Sequence, residues 1–152
     1  MGLNNNLPVF SVTPKNAMLL VTSPTGVTLS TLPTGASNQI LQASAQGSRV
    51  YALHASNDDG SYTPTIFIYI VSGSTAYPIG TVNLLKDAGS GTGAYTQSID
   101  LLSFTNLPGL PIDETGRQYI ELQANNYLCI AFNTNAAAGS HYYFTAQYAD
   151  YQ

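Results

Sequence analysis

The stretch Thr65-Ile66-Phe67-Ile68-Tyr69-Ile70-Val71 decides the fold class. β-Branched and aromatic residues fill it, and both kinds favour strands. Successive side chains of a strand point to opposite faces, so the three isoleucines lie on one face while the Phe, the Tyr and the Val lie on the other. Both faces are apolar and both need a cover. The cover is either a second sheet and a long loop or a second sheet and a neighbouring subunit, and the sequence leaves both open.

Similar short runs recur on either side of this stretch. They are bounded by Gly, Pro, Asn and Ser, which is typical of an all-β sandwich or barrel. Strands are predicted over residues 17–22, 27–32, 39–45, 48–56, 62–72, 76–84, 118–123, 127–133 and 141–148. The first two flank Ser23-Pro24-Thr25-Gly26, a turn sequence that predicts a hairpin. Long connections elsewhere favour a jelly-roll-like β-sandwich of about eight strands.

One segment has a helical pattern. A short helix is predicted over residues 98–106, with Ser98 as its N-cap and with Leu101, Leu102 and Phe104 packing inward. Residues 107–111, with two prolines, end it because proline cannot continue the helical hydrogen bonds.

The chain is long enough for one domain with an N-terminal extension. Its 152 residues suffice to bury a core without disulfides or a metal ion. Residues 1–16 are polar, include Pro8 and Pro14, and suit an extended segment that orders on a neighbour. We therefore expect an extended N-terminal arm over residues 1–16 and a single β-sandwich domain over residues 17–152.

Neutral polar residues dominate the composition. Only 8% of the residues are charged, whereas Ser, Thr, Asn and Gln together number 50. A net charge of −4 with four scattered cations argues against nucleic-acid binding. The longest apolar run, residues 66–71, is far shorter than the roughly 20 residues of a membrane helix, so no membrane partner is expected. No secretory signal is visible, and we expect synthesis in the cytoplasm.

Motifs for catalysis or metal binding are missing from the sequence. His54 and His141 are far apart, and neither has the spacing of metal ligands. Cys129 lies in an apolar alternating run, where a thiol usually acts as a small hydrophobic residue. The acidic pairs at residues 58–59 and 113–114 are predicted to lie in turns. We therefore expect no enzymatic activity, no catalytic residue, no metal and no cofactor.

Tyrosine is the dominant aromatic residue. The chain has 11 tyrosines and no tryptophan. Tyrosine suits either a glycan-binding platform or a protein interface, because its ring is apolar and its hydroxyl is polar. The absence of tryptophan makes the protein interface the favoured alternative.

Three groups of residues carry a family resemblance. They are SRVYALHASN at residues 48–57, YPIGTVNL at residues 77–84, and LPGLPID at residues 107–113 with the flanking residues 100–102 and 116–122. Within about residues 48–132 the chain resembles the capsid decoration, or cement, proteins of tailed bacteriophages. The resemblance implies a β-sandwich homotrimer on the outer capsid surface that bridges subunits of the major capsid protein.

We therefore expect a non-enzymatic virion protein that decorates and cements the outer surface of the capsid. Its expected partners are the major capsid protein and further copies of itself. Residues expected at protein interfaces are Leu3, Leu7, Val9, Phe10, Phe67, Tyr69, Tyr143 and Tyr151. The alternative is a carbohydrate- or receptor-binding β-sandwich module of a tail or head fibre.

Overall fold

Strands make up nearly all of the regular secondary structure in the part of the chain that the structure describes. A computed structural model describes residues 14–90, 97–134 and 136–151. Within them the strands are β1 (Lys15–Thr22), β2 (Gln39–Gln42), β3 (Ser48–Asn57), β4 (Thr65–Ser72), β5 (Thr75–Asn83), β6 (Ile99–Asp100), β7 (Ile120–Leu122), β8 (Tyr127–Phe132) and β9 (His141–Asp150). Helical structure in these residues is limited to two 3-10 turns, Leu29–Thr31 and Ala36–Asn38.

The strands form two antiparallel sheets. The first sheet has the order β1-β9-β3-β6, with β7 also paired to β3, and the second has the order β2-β8-β4-β5. The chain passes back and forth between the sheets from β1 to β4, which is the connectivity of a jelly roll. The predicted all-β, jelly-roll-like sandwich is confirmed.

The main core lies between the two sheets. Phe132 of β8 meets Tyr142 and Phe144 of β9 edge to face, with ring centroids 4.7 and 6.2 Å apart. Other fully buried side chains of this core are Val50, Leu53, Ile66, Ile68, Leu101, Leu122, Leu128 and Ile130. Each buried side chain of this size contributes about 1.5–3 kcal/mol to the free energy of unfolding.

A second apolar cluster lies on the outer face of the second sheet. Residues 23–38, between β1 and β2, run across this face, and we call them the covering connection. Val27 and Leu32 of this connection pack on the sheet. The buried sheet residues beneath it are Phe67, Tyr69, Val71, Cys129 and Ala131.

Hydrogen bonds fasten the covering connection to the sheet. The Val27 amide donates to the Phe132 carbonyl oxygen at 2.7 Å, and the Tyr69 hydroxyl donates to the Pro33 carbonyl oxygen at 2.6 Å. The cover of this face is therefore a loop of the same chain and not a neighbouring subunit. Phe67 and Tyr69 are core residues, so the prediction that they lie at a protein interface is wrong.

β1 pairs with β9 and not with residues 27–32. Lys15 lies opposite Tyr148 at the start of this ladder. The predicted hairpin is wrong because Val27 and Leu32 pack on the second sheet, whereas β1 extends the first.

The predicted helix over residues 98–106 is also wrong. β6 lies there instead and pairs with β3, which places Asp100 opposite His54, and turns follow. One carboxylate oxygen of Asp100 accepts the Leu102 amide at 3.0 Å and so stabilises a turn where a helix would need that amide for its own ladder. Leu101 and Leu102 are buried, as predicted.

Candidate binding face

The outer face of the first sheet is exposed to solvent, unlike that of the second. On β1 and β9 it carries Met18, Leu20 and Tyr143, whose exposed fractions are 79%, 52% and 48%. Leu20 lies directly opposite Tyr143, and Met18 is two residues before Leu20 on the same side of β1. The three side chains thus form one patch, which we call the apolar strip. Clustered exposed apolar side chains are typical of an interaction surface.

A cleft of about 410 Å³ lies on the same outer face, on the far side of β9 from β1, and we call it the β3 cleft. Its volume falls within the roughly 300–1,000 Å³ of small-molecule sites. β3 forms one wall, β6 and the turn after it form the second, and the loop before β7 forms the third. The lining residues are Tyr51, Ala52, His54, Asp100, Leu102, Ser103, Phe104, Gly116, Arg117 and Gln118.

Side-chain hydrogen bonds hold the walls of the cleft together. The Asn106 amide group donates to the Asp100 carbonyl oxygen at 2.6 Å and closes the turn after β6. The Gln118 side chain donates through Nε2 to the Leu107 carbonyl oxygen at 2.7 Å. This second bond ties the loop before β7 to the turn after β6, so the two walls keep a fixed distance.

Asp113 organises the loop that presents Arg117. Its Oδ1 accepts the backbone amides of Thr115 and Arg117 at 2.8 and 2.9 Å. These bonds, with that of the Arg117 amide foremost, hold the pKa of Asp113 below its usual value. Gly116 has a φ of +82°, a conformation that glycine adopts without strain. Asp113 and Gly116 together therefore set the backbone conformation of this loop.

Gln118 has an unsatisfied polar atom at this site. The residue is 4% exposed, and its Oε1 accepts no hydrogen bond from the described residues. Buried polar atoms nearly always have a partner, so such an atom in a cleft points to a ligand or a bound water. Asp100, Arg117 and His54 add a carboxylate, a guanidinium and an imidazole to the same cleft, and Phe104 adds an aromatic ring that is 59% exposed.

A second polar cluster, at one end of the sandwich, has a structural role. The carboxylate of buried Asp59 accepts four hydrogen bonds, from the amides of Ser61, Tyr62 and Ala137 and from the Tyr142 hydroxyl. Burial opposes ionisation, but these bonds outweigh it and hold the pKa of Asp59 below its usual value. Asp59 thereby joins the loop after β3 to β9 and to the loop before β9.

The neighbouring Asp58 supports the same junction from the surface. Its carboxylate accepts the His141 amide at 2.6 Å, and its second oxygen lies 2.7 Å from Nδ1 of the imidazole. The amide bond is the main reason that the pKa of Asp58 is lowered. Both residues are partly exposed and join the loop after β3 to the start of β9.

The residues predicted to lie at protein interfaces occupy different environments in the structure. Four lie outside the described residues: Leu3, Leu7, Val9 and Phe10. Phe67 and Tyr69 are buried beneath the covering connection. Tyr143 belongs to the apolar strip, whereas Tyr151 is half-buried and its hydroxyl donates to Glu121.

Four residues of the open face were not singled out from the sequence. Met18 and Leu20 alternate with apolar residues of the other face, so β1 is apolar on both faces, and this pattern was the signal for the strip. The sequence predicts that Phe104 packs inward, but Phe104 lies in a turn and is 59% exposed. Gln118 gave no comparable signal; it lies just before β7, in an isolated bridge with Ile112.

Reaction chemistry is scarce in the described part of the chain. Its residues contain no group of three or more His, Cys, Asp or Glu side chains that could hold a metal ion. Cys129 is buried in the second apolar cluster, beneath the covering connection. Burial raises the pKa of its thiol to about 12, so the thiol stays protonated at neutral pH. No helix in these residues is long and apolar enough to cross a membrane.

Comparisons of the chain with protein-family models, with curated proteins and with solved structures gave no match. Function is therefore inferred from the two features of the open face. These are the apolar strip on β1 and β9 and the β3 cleft.

Proposed function

We propose that the protein is a non-enzymatic virion protein that decorates and cements the outer surface of a phage capsid. In this proposal it forms a homotrimer that bridges subunits of the major capsid protein. The supporting observation is the apolar strip of Met18, Leu20 and Tyr143 on an open sheet face. A cementing protein needs a surface for protein contacts and no reaction chemistry, and the strip is such a surface.

The surroundings of the strip suit a protein partner. Four outward neighbours on β1 and β9 are exposed and uncharged: Asn16, Thr22, Thr145 and Gln147. At one end of the strip, His141 stacks on Tyr143 with ring centroids 6.3 Å apart and pairs with Asp58. A partner that covers Met18 and Leu20, away from the His141–Asp58 pair, would bury apolar area without removing water from a charged group. Removing water from an unpaired charge costs free energy, so a neutral surround favours association.

The position of the strip suits a cyclic trimer. β1 is the edge strand of the first sheet, and within the described residues its outer side is unpaired. In a ring of three copies, each subunit presents one surface to a different surface of the next. A strip at one edge of the sheet fits such a head-to-tail contact. The trimer then contacts several capsid subunits at once, and many weak contacts add up to firm attachment.

The copy number of the chain in purified particles of the encoding phage tests this function. Quantitative mass spectrometry should find a copy number comparable with that of the most abundant shell protein. A few copies per particle would place the protein at the tail or at a vertex. Absence from the particles would contradict a virion role.

A matched pair of variants tests the strip itself. Leu20→Gln should weaken trimer formation and binding to particles that lack the protein, because it removes an apolar contact worth about 1.5–3 kcal/mol. Leu29→Gln is the control, since Leu29 is similarly exposed but lies on the covering connection. Native mass spectrometry and co-sedimentation measure the two effects. Equal behaviour of both variants would exclude the strip as the contact surface.

A carbohydrate- or receptor-binding module of a tail or head fibre is the second candidate function. The β3 cleft favours it, because the cleft combines an exposed aromatic ring with several polar side chains. A low copy number in particles together with binding of a glycan would support this candidate over cementing.

A further inference from the structure

We propose that the β3 cleft binds a short neutral saccharide. This inference goes beyond the cementing role, depends on the residues of the cleft alone, and holds whether the protein is abundant on the capsid or not. Its basis is the combination of aromatic and polar side chains in a cleft of about 410 Å³.

The aromatic contribution comes from Phe104 and Tyr51. Phe104 is 59% exposed at the cleft, and Tyr51 is half-buried in the opposite wall. A ring as exposed as that of Phe104 adds little to the core. Its face offers an apolar surface for the C–H groups of a sugar ring, while the hydroxyl groups of the sugar remain free for hydrogen bonds.

The polar residues of the cleft offer both donors and acceptors. The carboxylate of Asp100 only accepts, the guanidinium of Arg117 only donates, and the imidazole of His54 offers ring nitrogens for further hydrogen bonds. A sugar hydroxyl also donates and accepts, so it matches this mixed set. An anionic ligand would meet the negative charge of Asp100 in a protein of net charge −4. Within the cleft, Asp100 and Arg117 carry opposite charges that balance each other, and this balance suits a neutral saccharide.

The side-chain amide of Gln118 is fixed in the wall of the cleft. The Nε2 end of the same amide group is held by the Leu107 carbonyl oxygen at 2.7 Å, which fixes the orientation of the group. Oε1 is thereby left as a buried acceptor with no partner among the described residues.

The cleft is also organised before binding. Its two loop walls are joined by the Gln118 bond, and the Arg117 amide is held at 2.9 Å by Asp113. Fewer backbone groups then lose freedom when a ligand enters, and this favours affinity.

Binding of defined sugars to the full chain tests the proposal. The probes are maltotriose, mannotriose and N,N′-diacetylchitobiose, with inorganic phosphate as the anionic comparison. Saturation-transfer NMR detects binding, and isothermal titration calorimetry measures Kd. We expect at least one of the three sugars to bind, and phosphate not to bind.

Cleft variants locate the site. Phe104→Ala and Arg117→Gln should each raise Kd by about tenfold or more, which is the effect of losing about 1.4 kcal/mol of binding free energy. Both residues are exposed, so the variants should fold, and their urea transitions verify this. The control is Tyr77→Ala, which removes an exposed ring from β5 of the other sheet and should leave Kd unchanged.

Three results would overturn the proposal. They are the absence of binding by all three sugars, binding of phosphate without any sugar, and unchanged sugar binding by both folded cleft variants. None of them affects the copy number in particles, so failure of the saccharide site and failure of the cementing role are distinguishable.

Discussion

The hydroxyl of Tyr142 donates a 2.6 Å hydrogen bond to Oδ2 of the buried Asp59. The bond joins a strand at the centre of the first sheet to the loop that leaves β3. The same carboxylate also accepts three backbone amides, so one side chain holds several loops at this end of the sandwich. Such a group stabilises the fold only as long as its partners remain.

Replacement of Tyr142 by Phe should destabilise the protein. The ring of Tyr142→Phe can still pack at 4.7 Å from Phe132, so the lost hydroxyl is the main change. We expect the free energy of unfolding to fall by about 1–3 kcal/mol, because a buried carboxylate oxygen loses a donor. Urea denaturation measures this. Tyr77→Phe, at an exposed position, should have no effect, and a similar loss in both variants would contradict the prediction.

Stability should fall in acid, partly through Asp59. Its pKa in the folded state lies below the usual 3.8. The folded state therefore binds fewer protons than the unfolded state, so this stabilisation is present above the unfolded pKa and is lost as pH falls through the folded pKa. The loss should begin below about pH 5. Urea transitions followed down the pH scale should show a shallower acid slope for Asp59→Asn than for the wild type. Parallel slopes would exclude Asp59 as a contributor.

The sequence predicted the sheets better than it predicted their covers. Alternation along β4 showed two apolar faces, because the period of a strand is local and visible in the chain. What covers the outer face depends on distant contacts such as that of the Tyr69 hydroxyl with Pro33. Residues 27–32 resemble a strand because Val27 and Leu32 are apolar. These side chains instead pack on the second sheet, against residues that are distant in the sequence.

The cleft could not be predicted for a related reason. Leu101 and Leu102 suited a helix, but the side chain of Asp100 captures the Leu102 amide and the β3 backbone pairs with β6. Both contacts compete with a helix and are invisible in local propensity. Phe104 reaches the cleft from a turn, and turn residues have no period from which a shared face could be inferred.

Of the two side chains that bind Asp150, Ser48 should contribute more to the free energy of unfolding than Lys15. The two carboxylate oxygens of Asp150 accept the Ser48 hydroxyl and the Lys15 ammonium group, each at 2.5 Å. Ser48 is fully buried and its hydroxyl also accepts the Ser44 amide, so we expect Ser48→Ala to lower the free energy of unfolding by about 1–3 kcal/mol. Lys15 is exposed and its ion pair is screened, so Lys15→Met should have a smaller effect that shrinks further in salt. Urea denaturation at low and high salt tests this order, and a larger loss for Lys15→Met would reverse it.

The single thiol of Cys129 reports on the covering connection. It lies in the cluster beneath residues 23–38 and is fully buried. Burial keeps the thiol protonated at neutral pH, so a thiol reagent should label it slowly in the folded protein. Any change that lifts the connection from the sheet should make labelling faster.

Two glycines of this connection offer a matched test. A Cβ at Gly26 would lie 2.7 Å from the Asn133 carbonyl oxygen, a backbone atom that cannot rotate away, whereas a Cβ at Gly35 would have nothing within 4 Å. Gly26→Ala should therefore displace the connection and speed labelling of Cys129 by about tenfold or more, equivalent to about 1.4 kcal/mol of easier opening. Gly35→Ala should label like the wild type, because its backbone is extended and its surroundings are open. Mass spectrometry of samples labelled under native conditions gives both rates. Equal rates for the two variants would show that residues 23–38 do not control access to the second cluster.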